Sequence, residues 1–390
     1  MIAAAEKILQ LTRAKDWRLS FVPFIIGCVY FWLWWFKIQL SIASLLLFVL
    51  SFITTFGFAA LGYFINEFFD KAVDAKAGKA NMLAALPFFY QSILFVACLA
   101  ITFLPWLWLP KNKTTFVLIA VEISLFLLYS LPFPRLKSVP FISGFIDSGY
   151  AYVLPLLLSF YTYTLYAQSE NTGMIYWLAV AVFFIGFRNI TIHHVNDIFK
   201  DMRASAQTLP QVIGVNRTNL ILPFLMGGEI LFFLIWSSIV AIDNPVFYVW
   251  IIIYLLAILI RAKYFVGNIR LKYISIEPAK HLTDPIYQYI FPLFTLLLAT
   301  TVDYKWLVLV PFHFALLLTK PMQIIAWETI YWNSISFKYA AIRTVTKFVV
   351  VPISLVVNYI IFFSFLLVGV NLRKEKISAL SFIKKKLNSR

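Results

Sequence analysis

Residues 41–74 read SIASLLLFVLSFITTFGFAALGYFINEFFDKAVD, an uncharged run from Ser41 to Ile65 that breaks at once into Asn66, Glu67, Asp70, Lys71 and Asp74. A helix needs about 20 mostly apolar residues to cross the hydrocarbon of a bilayer. The run is therefore a membrane span that ends in a polar cluster. Apolar stretches of similar kind recur near 18–36, 88–109, 115–133, 144–166, 174–192, 220–241 and 245–264, with shorter ones near 286–301 and 304–319 and a last one near 346–370. Of the 390 residues 62% are hydrophobic and only 13% charged, whereas a soluble domain is about 25% charged. A water-soluble globule, a disordered chain and a disulfide-rich secreted module are all excluded. The two cysteines, Cys28 and Cys98, lie in apolar runs and read as neither a bridge nor a metal site. The expected fold is all-α, a polytopic membrane bundle of about nine to eleven helices.

The formal net charge of +16 comes from 33 Lys and Arg against 17 Asp and Glu. In a membrane chain such an excess holds the cytoplasmic loops against anionic headgroups and does not imply nucleic acid. Lys7, Arg13, Lys15 and Arg18 precede the first span without the shape of a signal peptide, which places the N-terminus inside. Counting spans from there, the cytoplasmic loops are 66–87, 134–143 and 193–219, with Lys71, Lys76, Lys79, Arg135, Lys137, Lys200, Arg203 and Arg217. The intervening loops near 167–173 and 242–244 have no Lys or Arg. Lys37, Lys111 and Lys113 depart from the pattern, each near a membrane edge. If both short segments after 264 cross, the basic tail 371–390 falls outside, so one of them is re-entrant or the last apolar stretch does not cross simply. The division expected is a membrane domain over 1–319 and an extension over 320–390, with one apolar segment and a basic tail.

Acidic residues are scarce, so their placement carries information. Five of the 17 fall in two clusters at cytoplasmic ends of spans, Asn66-Glu67-Phe68-Phe69-Asp70-Lys71-Ala72-Val73-Asp74 and Asn196-Asp197-Ile198-Phe199-Lys200-Asp201. If the helices continue, each four-residue step turns about 400° and rises about 6 Å, so Asn66, Asp70 and Asp74 form a ladder on one face. Asp197 and Asp201 repeat that spacing on another helix. A carboxylate at a helix centre costs about 2.5–3.5 kcal/mol to insert, against about 0.3–0.6 returned by each Leu, Ile, Phe or Val. The clusters therefore belong at the interface or around a wet cavity, paired with cations. Such oxygen ligands suit a hard cation, and Mg²⁺ in particular binds through one or two carboxylates plus substrate phosphates.

With these motifs in view, the chain resembles the UbiA-type intramembrane prenyltransferases. Their first signature, NDxxDxxxD with a following GKxN-type stretch, is matched by NEFFDKAVDAKAGKAN at Asn66, Asp70, Asp74, Gly78, Lys79 and Asn81. Their second, DxxxDxxxGxxTLP, is matched by DIFKDMRASAQTLP at Asp197, Asp201, Thr208, Leu209 and Pro210. YSLPFPRLK, Tyr129 to Lys137, is similar to the loop after the fourth helix in several members. Glu67 stands where many have Asp, Ser205 where glycine is usual, and the Tyr-to-Lys spacing is not YxxxK.

The resemblance implies a central cavity open to the cytoplasmic face. It also implies Mg²⁺-dependent transfer of a prenyl group from an isoprenoid diphosphate to a lipophilic or aromatic acceptor. The diphosphate would lie between the arrays, with Asn66, Asp70, Asp74, Asp197 and Asp201 as metal ligands, the four aspartates catalytic, and Lys79, Lys137, Lys200 and Arg203 clamping phosphate oxygens. Tyr129 and Arg13 would orient substrate. Each of these residues also has a plainer reading: the lysines as positive-inside charges, Tyr129 as an interfacial anchor, His193 and His194 as polar residues at a helix end, single aromatics as core or lipid contacts. Arg188 could face the site or snorkel. The expected setting is the cell's inner membrane with the site on the cytoplasmic side. The competing class is a transporter or channel with a carboxylate ion path, but that predicts charges at mid-span or broken helices. An inactive family member serving as a scaffold is a further alternative. A CDP-alcohol phosphotransferase is disfavoured by the lack of DGxxAR.

Overall fold

In the computed structural model, residues 22–78, 81–133, 135–169, 173–203, 207–265 and 282–316 are described, and among them every element is helical. In chain order these are α1 (Val22–Trp35), α2 (Ile42–Ala77), α3 (Phe88–Phe103), α4 (Lys113–Ser130), α5 (Ile142–Ala167), α6 (Ile175–Asn196), α7 (Ile198–Arg203), α8 (Leu209–Ile213), α9 (Val215–Asp243), α10 (Phe247–Phe265), α11 (Leu282–Val302) and α12 (Leu309–Leu316). Two compact units divide at Tyr304 and Lys305; the second contributes α12. Residues 320–390, with the expected last apolar stretch and basic tail, lie outside the described residues.

Among the described residues seven helices are long and apolar enough to cross a membrane: α2, α3, α4, α5, α6, α9 and α11. Two shorter apolar helices, Val22–Trp35 and Phe247–Leu259, join them. The short segment read near 286–301 is longer in the structure. It begins at Leu282 and runs through a π turn at Ile286–Ile290 into a helix ending at Val302. Periodicity undercounted it because Asp284 interrupts the apolar run.

Helix ends follow local chemistry. Ser41 and Ser44 form a reciprocal capping box at the start of α2, and Asn112 and Thr115 do the same for α4. The helices then pack as membrane helices do, through small residues and polar bridges. At Gly57 on α2 an added Cβ would lie 2.6 Å from the Thr102 Cα of α3. At the same level the Thr54 hydroxyl donates to the Thr102 carbonyl at 2.8 Å and accepts from the Trp106 indole at 2.9 Å. Between α1, α9, α10 and α11 the filling is aromatic. Phe233 meets Tyr254 at 5.0 Å, Phe31 meets Trp236 at 5.1 Å, and Trp250 meets Phe291 at 5.2 Å between ring centroids. These rings are buried, so the plain reading of them as core packing holds. Many large apolar side chains, Ile42, Phe88 and Leu220 among them, are exposed. On a soluble chain such a surface would drive association; on a membrane bundle it faces lipid.

Candidate active site

Asn66, Asp70 and Asp74 share one helix because α2 does not stop where its apolar run does. From Ile42 to Ile65 it rises about 35 Å, already more than the roughly 30 Å of hydrocarbon, and the polar residues project beyond. The helix ends where Gly78 takes the left-handed conformation, φ 66°, its N–H directed at the carbonyls of Asp74 and Ala75. The chain then turns back on itself. The Asn81 amide donates to the Asp74 carboxylate at 3.0 Å and to the Glu67 carbonyl at 2.8 Å, while its oxygen accepts from the Ala84 N–H at 3.0 Å.

The connection from α4 to α5 supplies cations. The Lys137 ammonium donates to Asn66 Oδ1 at 2.9 Å and contacts Asp70 Oδ1, to which Arg135 Nη2 also donates at 3.1 Å. Arg135 reaches this position from a left-handed backbone, φ 49°. That conformation is uncommon for a side chain this large and clusters at functional sites. Burial pushes the Lys137 ammonium below the usual lysine range, and the Asp70 carboxylate pulls it partly back. Asp70 faces both cations, and the Asp74 carboxylate also acts on Lys137. Arg135 Nε is in addition a buried donor without a partner among the described residues. A buried guanidinium with an unspent N–H donor is what a phosphate oxygen can use.

The second array sits at a helix break. α6 ends at Asn196, Asp197 occupies the turn with φ −98° and ψ 7°, and α7 starts at Ile198. The four-residue relation survives the break, since the Asp201 N–H donates to the Asp197 carbonyl at 2.9 Å. His193 Nε2 stands 3.7 Å from Asp197 Oδ2, the role of a polar residue at a helix end. Asp201 is buried, and α7 packs against α2, so the two arrays lie at the same end of the bundle on touching helices. Thr208, Leu209 and Pro210 open α8, with the proline in its first turn. Lys200 and Arg203 are placed on α7 by the backbone alone. Lys79 and Arg13 lie outside the described residues. Among the described residues no three Asp, Glu, His or Cys side chains gather as a metal cluster. Asp70 is turned to Lys137 and Arg135, and Asp74 to Asn81. The donors are nonetheless all hard oxygens in two groups, which fits Mg²⁺ bound by one or two carboxylates and completed by phosphate oxygens.

Inward from this end a polar wall follows. Tyr129 lies beside Asp70 and also near Asp147, and meets Tyr150 edge-to-face at 5.3 Å. The Tyr150 hydroxyl donates to Asp147 Oδ1 at 2.7 Å, and the Asn189 amide donates to the Tyr152 hydroxyl at 3.1 Å. Deeper still, Arg188 of α6 donates through Nε to Glu229 Oε2 of α9 and through Nη2 to Asp284 Oδ1 of α11, both at 2.7 Å. Arg188 and Glu229 are wholly buried. Arg188 therefore neither snorkels nor faces the arrays: it ties three helices together.

The sequence reading left Asn81, Arg135, Asp147 and the Arg188 triad without a role. A signal existed for each: Asn81 is a matched motif position, Arg135 lies two residues before Lys137, and Asp147, Arg188, Glu229 and Asp284 are charges in or at the end of apolar runs. Lys71 is turned away instead, contacting Gln91 Oε1 and lying 4.1 Å over the Phe68 ring.

The model of the UbiA prenyltransferase family matches residues 20–272. Among solved structures, a UbiA homolog from Archaeoglobus fulgidus bound to DMAPP and Mg²⁺ is similar with a TM-score of 0.51 and 18% identity, over 75% of this chain and 99% of that one. The same homolog bound to GPP and Mg²⁺ gives a TM-score of 0.50 at 18% identity with the same coverage. At that identity the likeness establishes the fold. No curated protein matches the chain.

Proposed function

The chain belongs to the UbiA prenyltransferase family, and from that premise we propose that it transfers a prenyl group from an isoprenoid diphosphate to a lipophilic or aromatic acceptor within the membrane. The observation that carries this reading is the cluster at the end of α2, where Asn66 and Asp70 are met by Lys137 and Arg135 and α7 brings Asp201 against the same helix. In this reading the diphosphate lies between the arrays. Asp70 and Asp74 with Asn66 on one side, and Asp197 and Asp201 on the other, would hold Mg²⁺, the ion with which the solved homolog is described bound to DMAPP and to GPP. When bound, the ion neutralises the departing diphosphate and so eases rupture of the allylic C–O bond.

The remaining steps belong to the chain's own groups. Lys137 and Arg135 exchange part of their hold on Asp70 for phosphate oxygens, Arg135 using the Nε donor it holds in reserve. Lys79, Lys200 and Arg203 add charge around the outer phosphate. Asn81 keeps Asp74 directed at the site. Tyr129 lines the path between the diphosphate and the membrane interior, with Arg13 assigned to the same orienting task. The apolar bundle excludes water, which would otherwise capture the allylic cation. The site and the N-terminus face the cytoplasm in this account, on the inner membrane, because the loops carrying Arg135, Lys137 and Lys200 hold the basic charge.

Donor binding tests the reading. Purified protein in detergent is titrated with geranylgeranyl diphosphate, with and without Mg²⁺, beside an Asp70→Ala/Asp201→Ala variant. Binding that needs Mg²⁺ and is lost in the variant is expected; equal binding by both proteins in EDTA would refute the assignment of the arrays.

A further inference from the structure

We propose that Asp147 is the group that takes the proton released by the acceptor when it is prenylated. The inference rests on the prenyl-transfer reading above. Transfer to an acceptor atom that bears hydrogen needs such a group. The allylic C–O bond breaks with its electron pair leaving on the diphosphate oxygen. The acceptor's nucleophilic atom supplies the pair for the new bond to prenyl carbon, and the hydrogen it carried departs as a proton. With Asp70, Asp74, Asp197 and Asp201 assigned to the metal and diphosphate, a carboxylate base on the acceptor side would be a different residue.

Asp147 has the required position. It lies five residues into α5, about 7.5 Å from the end of that helix nearest the arrays, and its side chain is half-buried, unlike the closed Arg188 triad. Tyr129 is within electrostatic reach of both Asp147 and Asp70 and meets Tyr150 edge-to-face at 5.3 Å, so one aromatic pair connects Asp147 to the end of α2 that carries Asp70. Tyr150 occupies Asp147 Oδ1 at 2.7 Å; Oδ2 has no donor among the described residues, and no cation of theirs pairs with this carboxylate. That leaves one oxygen to receive an acceptor hydroxyl or C–H proton.

Two features of the backbone fix this arrangement. A π turn, Gly149–Val153, begins two residues after Asp147 and carries both Tyr150 and Tyr152; such single-turn bulges inside α-helices occur frequently at functional sites. On the facing helix, a Cβ added to Gly186 would come within 2.9 Å of the Ser148 Cα. α5 and α6 therefore touch backbone to backbone one residue from Asp147, which sets its register against Asn189.

The test uses membranes of the producing cells, which contain the native acceptor, and tritiated geranylgeranyl diphosphate as donor probe. Asp147→Asn keeps an acceptor for Tyr150 and nearly the same shape. It is expected to lower kcat for labelled lipid product by about 10²–10⁴-fold, with Mg²⁺-dependent donor affinity and bridge-to-nonbridge ¹⁸O exchange in the donor both retained. Asp147→Glu is expected to recover part of the rate, and Tyr150→Phe to lower it about tenfold or less. Turnover by Asp147→Asn equal to the parent, or loss of donor binding together with turnover, overturns the proton-acceptor role and leaves prenyl transfer standing. Absence of both product and ¹⁸O exchange in the parent overturns prenyl transfer itself.

Discussion

Replacing Arg188 with methionine should weaken the fold by breaking a buried charge cluster that joins three helices. Arg188 contacts Glu229 and Asp284 at 2.7 Å each, from α6 to α9 and α11, with no exposed surface on Arg188 or Glu229. At an effective dielectric of about 20, one such pair about 4 Å apart is worth roughly 4 kcal/mol. Removing the arginine leaves two carboxylates buried beside each other, and breaking a buried pair in this way costs about 3–5 kcal/mol. At about 2.1 cal/mol/K per residue over 390 residues, that is a fall in Tm of roughly 4–6 °C. Exchanging the whole triad for apolar residues of similar volume removes the desolvation cost along with the attraction and is commonly neutral. Arg188→Met/Glu229→Leu/Asp284→Leu is accordingly expected to recover most of the loss. Thermal unfolding in detergent, followed by tryptophan fluorescence, reads both. A single variant within about 1 kcal/mol of the parent, or a triple variant less stable than the single one, would refute the reasoning.

Glu122 presents the opposite case. It is wholly buried on α4 with neither oxygen partnered among the described residues, so Glu122→Met should raise stability by about 1–3 kcal/mol in the same assay. Asn81→Ala removes the amide that holds Asp74. Losing the hydrogen bond that orients a metal-binding carboxylate lowers metal affinity about 10–100-fold, to be read as the Mg²⁺ concentration giving half-maximal donor binding. Lys137 is held below the usual lysine range chiefly by burial, so it loses its charge at lower pH than an exposed lysine. Donor affinity should fall as pH rises toward 10, and Lys137→Arg, charged throughout, should move that alkaline fall to higher pH.

What could be read from the residues alone was what depends on local sequence. The uncharged run 41–65 and its acidic end specify a helix that crosses and then emerges, and α2 does continue through Asp74 to Gly78. The Asp197–Asp201 spacing is retained, but periodicity gave no sign of the break at Asp197, where a new helix starts one residue later. Partnerships across the fold were hidden. Asp70 meets cations 65 and 67 residues away, and Arg188 meets carboxylates 41 and 96 residues away, distances over which sequence spacing carries no geometric constraint. The π turns beside Asp147 and Asp284 were likewise not visible, because a bulge shifts the phase of an apolar pattern by a single residue. Membership of the family places the carboxylate arrays in context, whereas the wall of Tyr129, Tyr150, Tyr152 and Asn189 is assembled from three helices and was not legible as a unit.

The most direct test of prenyl transfer is product formation itself: membranes carrying the protein, given labelled farnesyl and geranylgeranyl diphosphates with Mg²⁺ or with EDTA, beside the Asp70→Ala/Asp201→Ala variant. The account predicts inorganic diphosphate and a labelled prenylated lipid in equal amounts, dependent on Mg²⁺ and lost in the variant. Labelled product formed equally well by the variant, or no consumption of either donor by the parent, would contradict it.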